Sequence, residues 1–294
     1  MNKYIFNIVL VIAVFASCQK ENSGVMNSDA IRFNFSLPQT KATATSFEVG
    51  DAVSLFAAEY SSENAPEVQI AGNFLNNEEL TFNGSEWTAD KTLYWSDMPC
   101  DFYALYPYTN LTSVEEFPFE VAIDQNSSKT QLSLGGYEAS DLLWAKAENV
   151  SQSLGVVNLQ FKHIMSKCVV TLTKGDKFEG EIPDDVVCHI YNTVTSAKLN
   201  FAEGTVEKES MGERKTITMK KVSRERFEAI LVPQHIENRT PLIEVTMGGI
   251  AYLLEYTMSF KPSYAHTINL ILNTSPDQEK IEISIDAGTG DWSN

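Results

Sequence analysis

Ile31-Arg32-Phe33-Asn34-Phe35-Ser36-Leu37 alternates apolar and polar residues without a break. A period of two puts Ile31, Phe33, Phe35 and Leu37 on one face of an extended chain, the pattern of a half-buried β-strand. Segments of strand composition recur through the rest of the sequence. Ala52 to Ala58, Thr92 to Trp95, Asp101 to Tyr108 and Leu142 to Ala145 are rich in aromatic and β-compatible residues, with Asn83-Gly84 and Gly135-Gly136 as turn signals between them. Val156 to Phe161 and Cys168 to Thr173 follow. Then come Ile190 to Lys198, Thr216 to Val222, Phe227 to Val232, Leu242 to Met247, Ala251 to Met258, His266 to Leu272 and Ile281 to Ile285. No long amphipathic helix separates them, so the expected fold class is all-β, built as β-sandwiches and not as βαβ units. The polar run Glu148 to Ser153 is the expected boundary, giving sandwiches over 47–150 and 151–294.

Working back from the arm strand, the polar stretch from Gln19 to Asp29 reads as a tether, and residues 18–46 together form tether and arm. Residues 1–17 read as a secretory signal. Met1-Asn2-Lys3 gives a positive start, and Tyr4 to Ala16 is apolar apart from Asn7. As a helix that apolar run spans only about 20 Å, short of a bilayer core. Small residues leading into Cys18 give the pattern of a bacterial lipobox, in which Cys18 is acylated (palmitate) and becomes the mature N-terminus. Several acyl chains on one residue make a stable anchor.

The composition excludes several classes of function. A formal net charge of −17 and a sequence pI near 4.6 disfavour nucleic acid as a partner. His163, His189, His235 and His266 are dispersed, with no HExxH or GxSxG, so neither a metal site nor a catalytic residue is expected, and no cofactor. Glu78-Glu79, Glu115-Glu116 and Asp184-Asp185 read as solvated loop carboxylates. The basic cluster Arg214, Lys215, Lys220, Lys221, Arg224 and Arg226 reads as the wet face of a hairpin. Trp87, Tyr94, Trp95, Phe102, Tyr103, Tyr106 and Tyr108 form either core or a sugar-stacking platform, and alternation puts half of them in the core. Once Cys18 is lipidated, Cys100, Cys168 and Cys188 remain. A Cys168–Cys188 bridge and three buried thiols are both open readings.

Several stretches resemble the fimbrillin-like proteins of Bacteroidales, subunits of lipoprotein-derived (type V) pili and their relatives. They are Phe47-Glu48-Val49-Gly50-Asp51 leading to Val53-Ser54-Leu55-Phe56-Ala57, Leu93-Tyr94-Trp95, and Asp101 to Tyr108. Further on come Asp141-Leu142-Leu143-Trp144-Ala145, Leu159 to Lys167, and Ile230-Leu231-Val232-Pro233-Gln234. The resemblance implies two tandem transthyretin-like β-sandwiches on a surface-exposed lipoprotein of the cell outer membrane, with Gln19-Lys20-Glu21 as its export signal. It also implies proteolytic removal of the first strand, here Ile31 to Leu37, with cleavage after Lys41 where better-known members carry Arg. The bared groove would then accept a strand from the next fimbrial subunit. Ile281, Ile283 and Ile285 share one face near the C-terminus and are the candidate donor strand, the other reading being a last strand of their own sandwich. The expected function is a structural or accessory subunit of a cell-surface fimbria acting in adhesion, with other subunits as partners and host or bacterial surface ligands as further ones. The alternative is a lipid-anchored surface protein that binds glycans or partners and never polymerises.

Overall fold

The computed structural model describes residues 29–37, 46–62, 66–130, 133–237, 240–274 and 283–292. Cys18, Lys41 and Ile281 lie outside these residues. The chain is all-β, with 22 strands, one short α-helix, α1 (Gly136–Ser140), and one 3-10 turn (Gln152–Leu154) among the described residues.

The arm forms β1 (Phe33–Ser36), paired in parallel with β8 (Val157–Gln160). Beneath this pair lies a six-stranded antiparallel sheet in the order β4 (Trp87–Thr88), β3 (Leu75–Phe82), β2 (Ala52–Glu59), β5 (Cys100–Tyr106), β7 (Leu143–Val150), β9 (Lys162–His163). Every side chain from Val53 to Ala58 and from Cys100 to Leu105 is buried. Such unbroken burial arises when a sheet is covered on both faces. One face of this sheet carries Val53, Leu55, Phe102 and Ala104, which pack with Ile31, Val157, Leu159 and Phe161 under the arm. The other carries Phe56, Tyr103 and Leu105 against Leu199 and Phe201, with the Phe56 and Phe201 rings 4.9 Å apart. Consecutive aromatics Phe102 and Tyr103 therefore both enter a core, whereas the one-sided alternation expected from sequence buries only half of such a run.

That second face is covered by the sheet β13 (Thr205–Lys208), β12 (Ser196–Asn200), β6 (Phe117–Glu120), in which Phe117 stands opposite Leu199. Strands from the two sides of position 150 thus interleave, as β8 does with the arm. Trp144 fixes the contact by donating its indole N–H to the Phe201 carbonyl at 2.7 Å. Gly204, at φ +64°, lies so close to that indole that a Cβ would sit 2.2 Å from its ring.

The remaining strands form a sandwich. One sheet runs β15 (Lys220–Ser223), β16 (Arg226–Leu231), β10 (Ser166–Lys177), β21 (Tyr264–Thr274), β22 (Ile283–Asp291). The other runs β14 (Arg214–Thr218), β11 (Val187–Val194), β18 (Pro241–Met247), β19 (Ile250–Glu255). Cys168, Val170, Phe227 and Leu270 are buried together with Ile190, Ile217, Ile243 and Val245 in one core. A small pair, β17 (Gln234–Ile236) with β20 (Met258–Phe260), flanks it. Two segments expected as single strands turn corners instead. The Thr216 to Val222 segment splits at buried Met219 into β14 and β15, which belong to different sheets, and Ile190 to Lys198 splits at buried Thr195. Of the open readings for the cysteines, the buried-thiol one holds: Cys100, Cys168 and Cys188 are free and buried.

Candidate functional site: the arm and its groove

The arm keeps the alternation of its sequence. Arg32, Asn34 and Ser36 are exposed, while Ile31 is buried and Phe33, Phe35 and Leu37 are half-buried against the core below. Phe35 is the central plug: its ring lies 4.8 Å from Trp87 and 5.6 Å from Phe161. Phe47, just beyond the arm, closes the same aromatic set at 4.8 Å from Trp87, 5.5 Å from Phe161 and 5.7 Å from Tyr106. Each offset or edge-on ring pair adds about 0.5–1.5 kcal/mol beyond burial.

Backbone bonds hold the arm along one side and, on the other, at its start. On one side, the amides of Val157 and Phe161 donate to the carbonyls of Arg32 (2.8 Å) and Ser36 (2.9 Å). On the other, Ile31 N–H donates to Leu93 O at 2.8 Å and Trp95 N–H to Asp29 O at 3.0 Å. The Asn34 amide adds a side-chain bond to Asn158 Oδ1 at 2.8 Å. The strand β1 is thus laid along β8, and the Leu93–Trp95 segment holds the residues that lead into it, Asp29 to Ile31. Beside it, between Arg32 and the Trp87–Leu93 stretch, a cleft of about 600 Å³ stays open.

A second cleft, of about 370 Å³, begins where the arm ends, with Leu37, Phe47 and Tyr106 on one side and Lys167, Glu228 and Trp292 on the other. Its floor is a buried ion pair, Lys167 Nζ to Glu228 Oε2 at 2.8 Å, with side chains only 5% and 2% exposed. Arg226 and the Tyr137 hydroxyl also bond Glu228, at 2.7 and 3.0 Å. Burial by itself would raise the Glu228 carboxyl, but Lys167 and Arg226 more than reverse this and hold it below the usual value. Burial, reinforced by Asp51 and Asp141, pushes the Tyr106 hydroxyl up, so it stays protonated and faces the Asp51 carboxylate at 3.4 Å.

The remaining sequence candidates are dispersed. Ile283 and Ile285 lie in β22, opposite Leu272 and Leu270. Arg224 pairs with Asp184, Lys215 with Glu120 and Lys220 with Glu138, so much of the basic cluster is neutralised locally. The histidines do not converge: His163 meets Asp141, His189 meets Glu244, His235 meets Ser259, and His266 is buried. No group of three potential metal ligands occurs among the described residues. Of the aromatic group, Trp87 lines the arm groove, Phe102 and Tyr103 are core, and Tyr94 and Tyr108 are exposed. Sequence reasoning did not pick out Phe47, Phe161 or Trp292 as partners. Phe47 and Phe161 lie in stretches that carry the family resemblance, but nothing in the sequence pairs them with Trp87, and Trp292 carries no signal beyond its apolar bulk.

Residues 40–292 match the model of a family described as fimbrillin-like. The fold is similar to that of a candidate cell adhesion protein of Bacteroides uniformis, at 20% identity and a TM-score of 0.66, over 90% of this chain and 98% of that one. A candidate cell adhesion protein of Bacteroides ovatus gives 14% identity and a TM-score of 0.66 over 90% and 97%. A fimbrial protein of Bacteroides ovatus gives 19% and 0.51, over 85% of this chain and 51% of that longer one. No protein of curated function matches the sequence.

Proposed function

The chain belongs to the fimbrillin-like family, and from that premise we propose that it is a fimbrial subunit which assembles by exchanging its arm for a neighbour's strand. Family membership makes it a structural protein of cell-surface fimbriae, a fimbria-related adhesion subunit whose partners are other such subunits, and not an enzyme. The observation that carries the finer reading is the arm's seat. Ile31 to Leu37 lies along β8, which donates to its Arg32 and Ser36 carbonyls, is tied at its start by Ile31 to Leu93, and carries an aromatic plug at Phe35. Removing it would bare a row of unpaired amides and carbonyls beside an apolar trough lined by Trp87, Leu159 and Phe161. An incoming alternating strand satisfies both at once.

In this reading Cys18 carries the lipid anchor at the outer membrane and cleavage after Lys41 frees the arm. Ile281, Ile283 and Ile285 belong to the donor, and β22 is an edge strand with β21 as its one neighbour among the described residues. Two tandem transthyretin-like units, divided near residue 150, are part of the same proposal. What supports it is that every strand of the two C-terminal sandwich sheets lies beyond residue 150. The larger core nevertheless crosses that point, joining Phe56, Tyr103, Leu105 and Trp144 to Leu199 and Phe201, and β6 and β8 pair across it.

Trypsin treatment of the folded precursor tests the proposal. The expected result is loss of the segment before Ala42 followed by a ladder of oligomers on a gel. A cut chain that stays monomeric would overturn assembly by exchange and leave the non-polymerising surface protein as the reading.

A further inference from the structure

The C-terminal strand is anchored unevenly. β22 pairs with β21 along its whole length, from Ile283 opposite Leu272 to Asp291 opposite Tyr264. Toward its end, Gly288, Thr289 and Gly290 are exposed. A Cβ built on either glycine would meet nothing within 4 Å. Glycines in a strand contribute no side-chain contact and weaken it.

Trp292 then follows, only 5% exposed and part of the large core. Its ring lies flat on His163, with centroids 3.8 Å apart and planes at 5°. Lys167 Nζ stands 5.8 Å from the same ring. The Trp292 amide donates to Ser263 O at 3.0 Å, and Ser263 in turn donates from its amide to Met165 O and from its hydroxyl to His163 O. His163 belongs to β9 in the six-stranded sheet, where its Nδ1 meets Asp141 Oδ1 at 2.9 Å. The strand therefore belongs to one sheet, while the ring that anchors it is seated on another. The cleft beside that seat also carries Leu37, the last described residue of the arm.

We propose that Trp292 is a latch that keeps the C-terminal strand on its own subunit, and that the arm helps to close the cleft in which the latch sits. Backbone pairs lost when β22 leaves its sheet are regained on a neighbour, so the anchored side chain decides whether the strand stays. Removing the arm opens the cleft to water next to the Trp292 ring, which links processing at one end of the chain to release at the other. This rests on the strand-exchange reading, and the test separates the two.

Hydrogen exchange on the dilute full chain, before and after trypsin, provides the test. In the wild type, the amides of 283–292 are expected to exchange at least ten-fold faster once the arm is cut away, with β2 and β5 unchanged. Trp292→Ala is expected to show that rate before the cut and no further rise after it. His163→Ala, which removes the stacking face without touching the strand, is expected to act in the same direction and serves if Trp292→Ala does not fold. Unchanged exchange at 283–292 in the cut wild type and in the variants overturns the latch. Faster exchange without any ladder at high concentration upholds the latch and overturns strand exchange.

Discussion

Phe35→Ala is expected to loosen the arm while leaving the rest of the chain folded. A fully buried Phe→Ala change costs about 3–5 kcal/mol, and Phe35 is half-buried, so about 2 kcal/mol is a fair share. Its contacts with Trp87 and Phe161 are most of what is lost. At about 1.4 kcal/mol per decade, the arm's opening equilibrium should rise roughly 30-fold. Two amides report that opening directly, because Val157 and Phe161 donate to the arm carbonyls of Arg32 and Ser36. Native-state hydrogen exchange is therefore expected to show a fall in protection at Val157 and Phe161, with Leu55 and Phe102 unaffected. Unchanged protection at the two reporters would refute the plug assignment. An equal fall at all four positions would show that the arm opens only when the whole fold does, and exchange of a single strand would then be untenable.

Three further outcomes follow from the packing. Glu228→Gln strands the buried Lys167 ammonium and is expected to cost about 3 kcal/mol in urea unfolding at pH 7, in line with broken buried pairs. Because the Glu228 carboxyl is held below its usual value, its contribution is present above the unfolded carboxyl range and lost as pH falls through the folded one. The gap between wild type and Glu228→Gln should therefore narrow on acidification, and a constant gap would contradict the pairing. Gly204→Ala should lower stability by about 2–4 kcal/mol, since a left-handed backbone and an overpacked Trp144 contact add; a neutral result would contradict that close approach. Burial pushes Cys100 and Cys168 up to about 12, and Cys188 well up, so a thiol alkylating reagent at pH 8 should leave all three unmodified in the native chain and modify them in urea.

The arm was the most legible element, because a strand with one wet face writes a clean alternation into the sequence, and Ile31 to Leu37 keeps it in the fold. Strands covered on both faces were legible as apolar runs but not in their partners: nothing in Val53 to Ala58 says that Phe56 meets Phe201. Corners were not legible at all, since Met219 in Thr216-Ile217-Thr218-Met219-Lys220 and Thr195 in Thr193-Val194-Thr195-Ser196 sit in strand-like runs with no Gly or Pro to mark the turn. β3 was missed for a related reason. In Leu75–Phe82 only Leu75 and Leu80 are buried, and Asn77 sits at φ 48°, which breaks the period. At the site, Trp87 stood out as an aromatic residue but its role as the wall of the arm slot came from Phe35, remote in sequence. The Trp292–His163 stack and the Lys167–Glu228 pair join residues far apart in the chain, and pairwise chemistry of that kind leaves no local pattern.

Native mass spectrometry of the trypsin-treated chain tests the central claim most directly. Each subunit in an oligomer should lack the mass of the segment up to Lys41, and a synthetic peptide of sequence Ile31 to Leu37 added at the moment of cleavage should occupy the vacated slot and stop growth at the monomer. A cut chain that keeps its own arm bound and stays monomeric without added peptide would contradict the account.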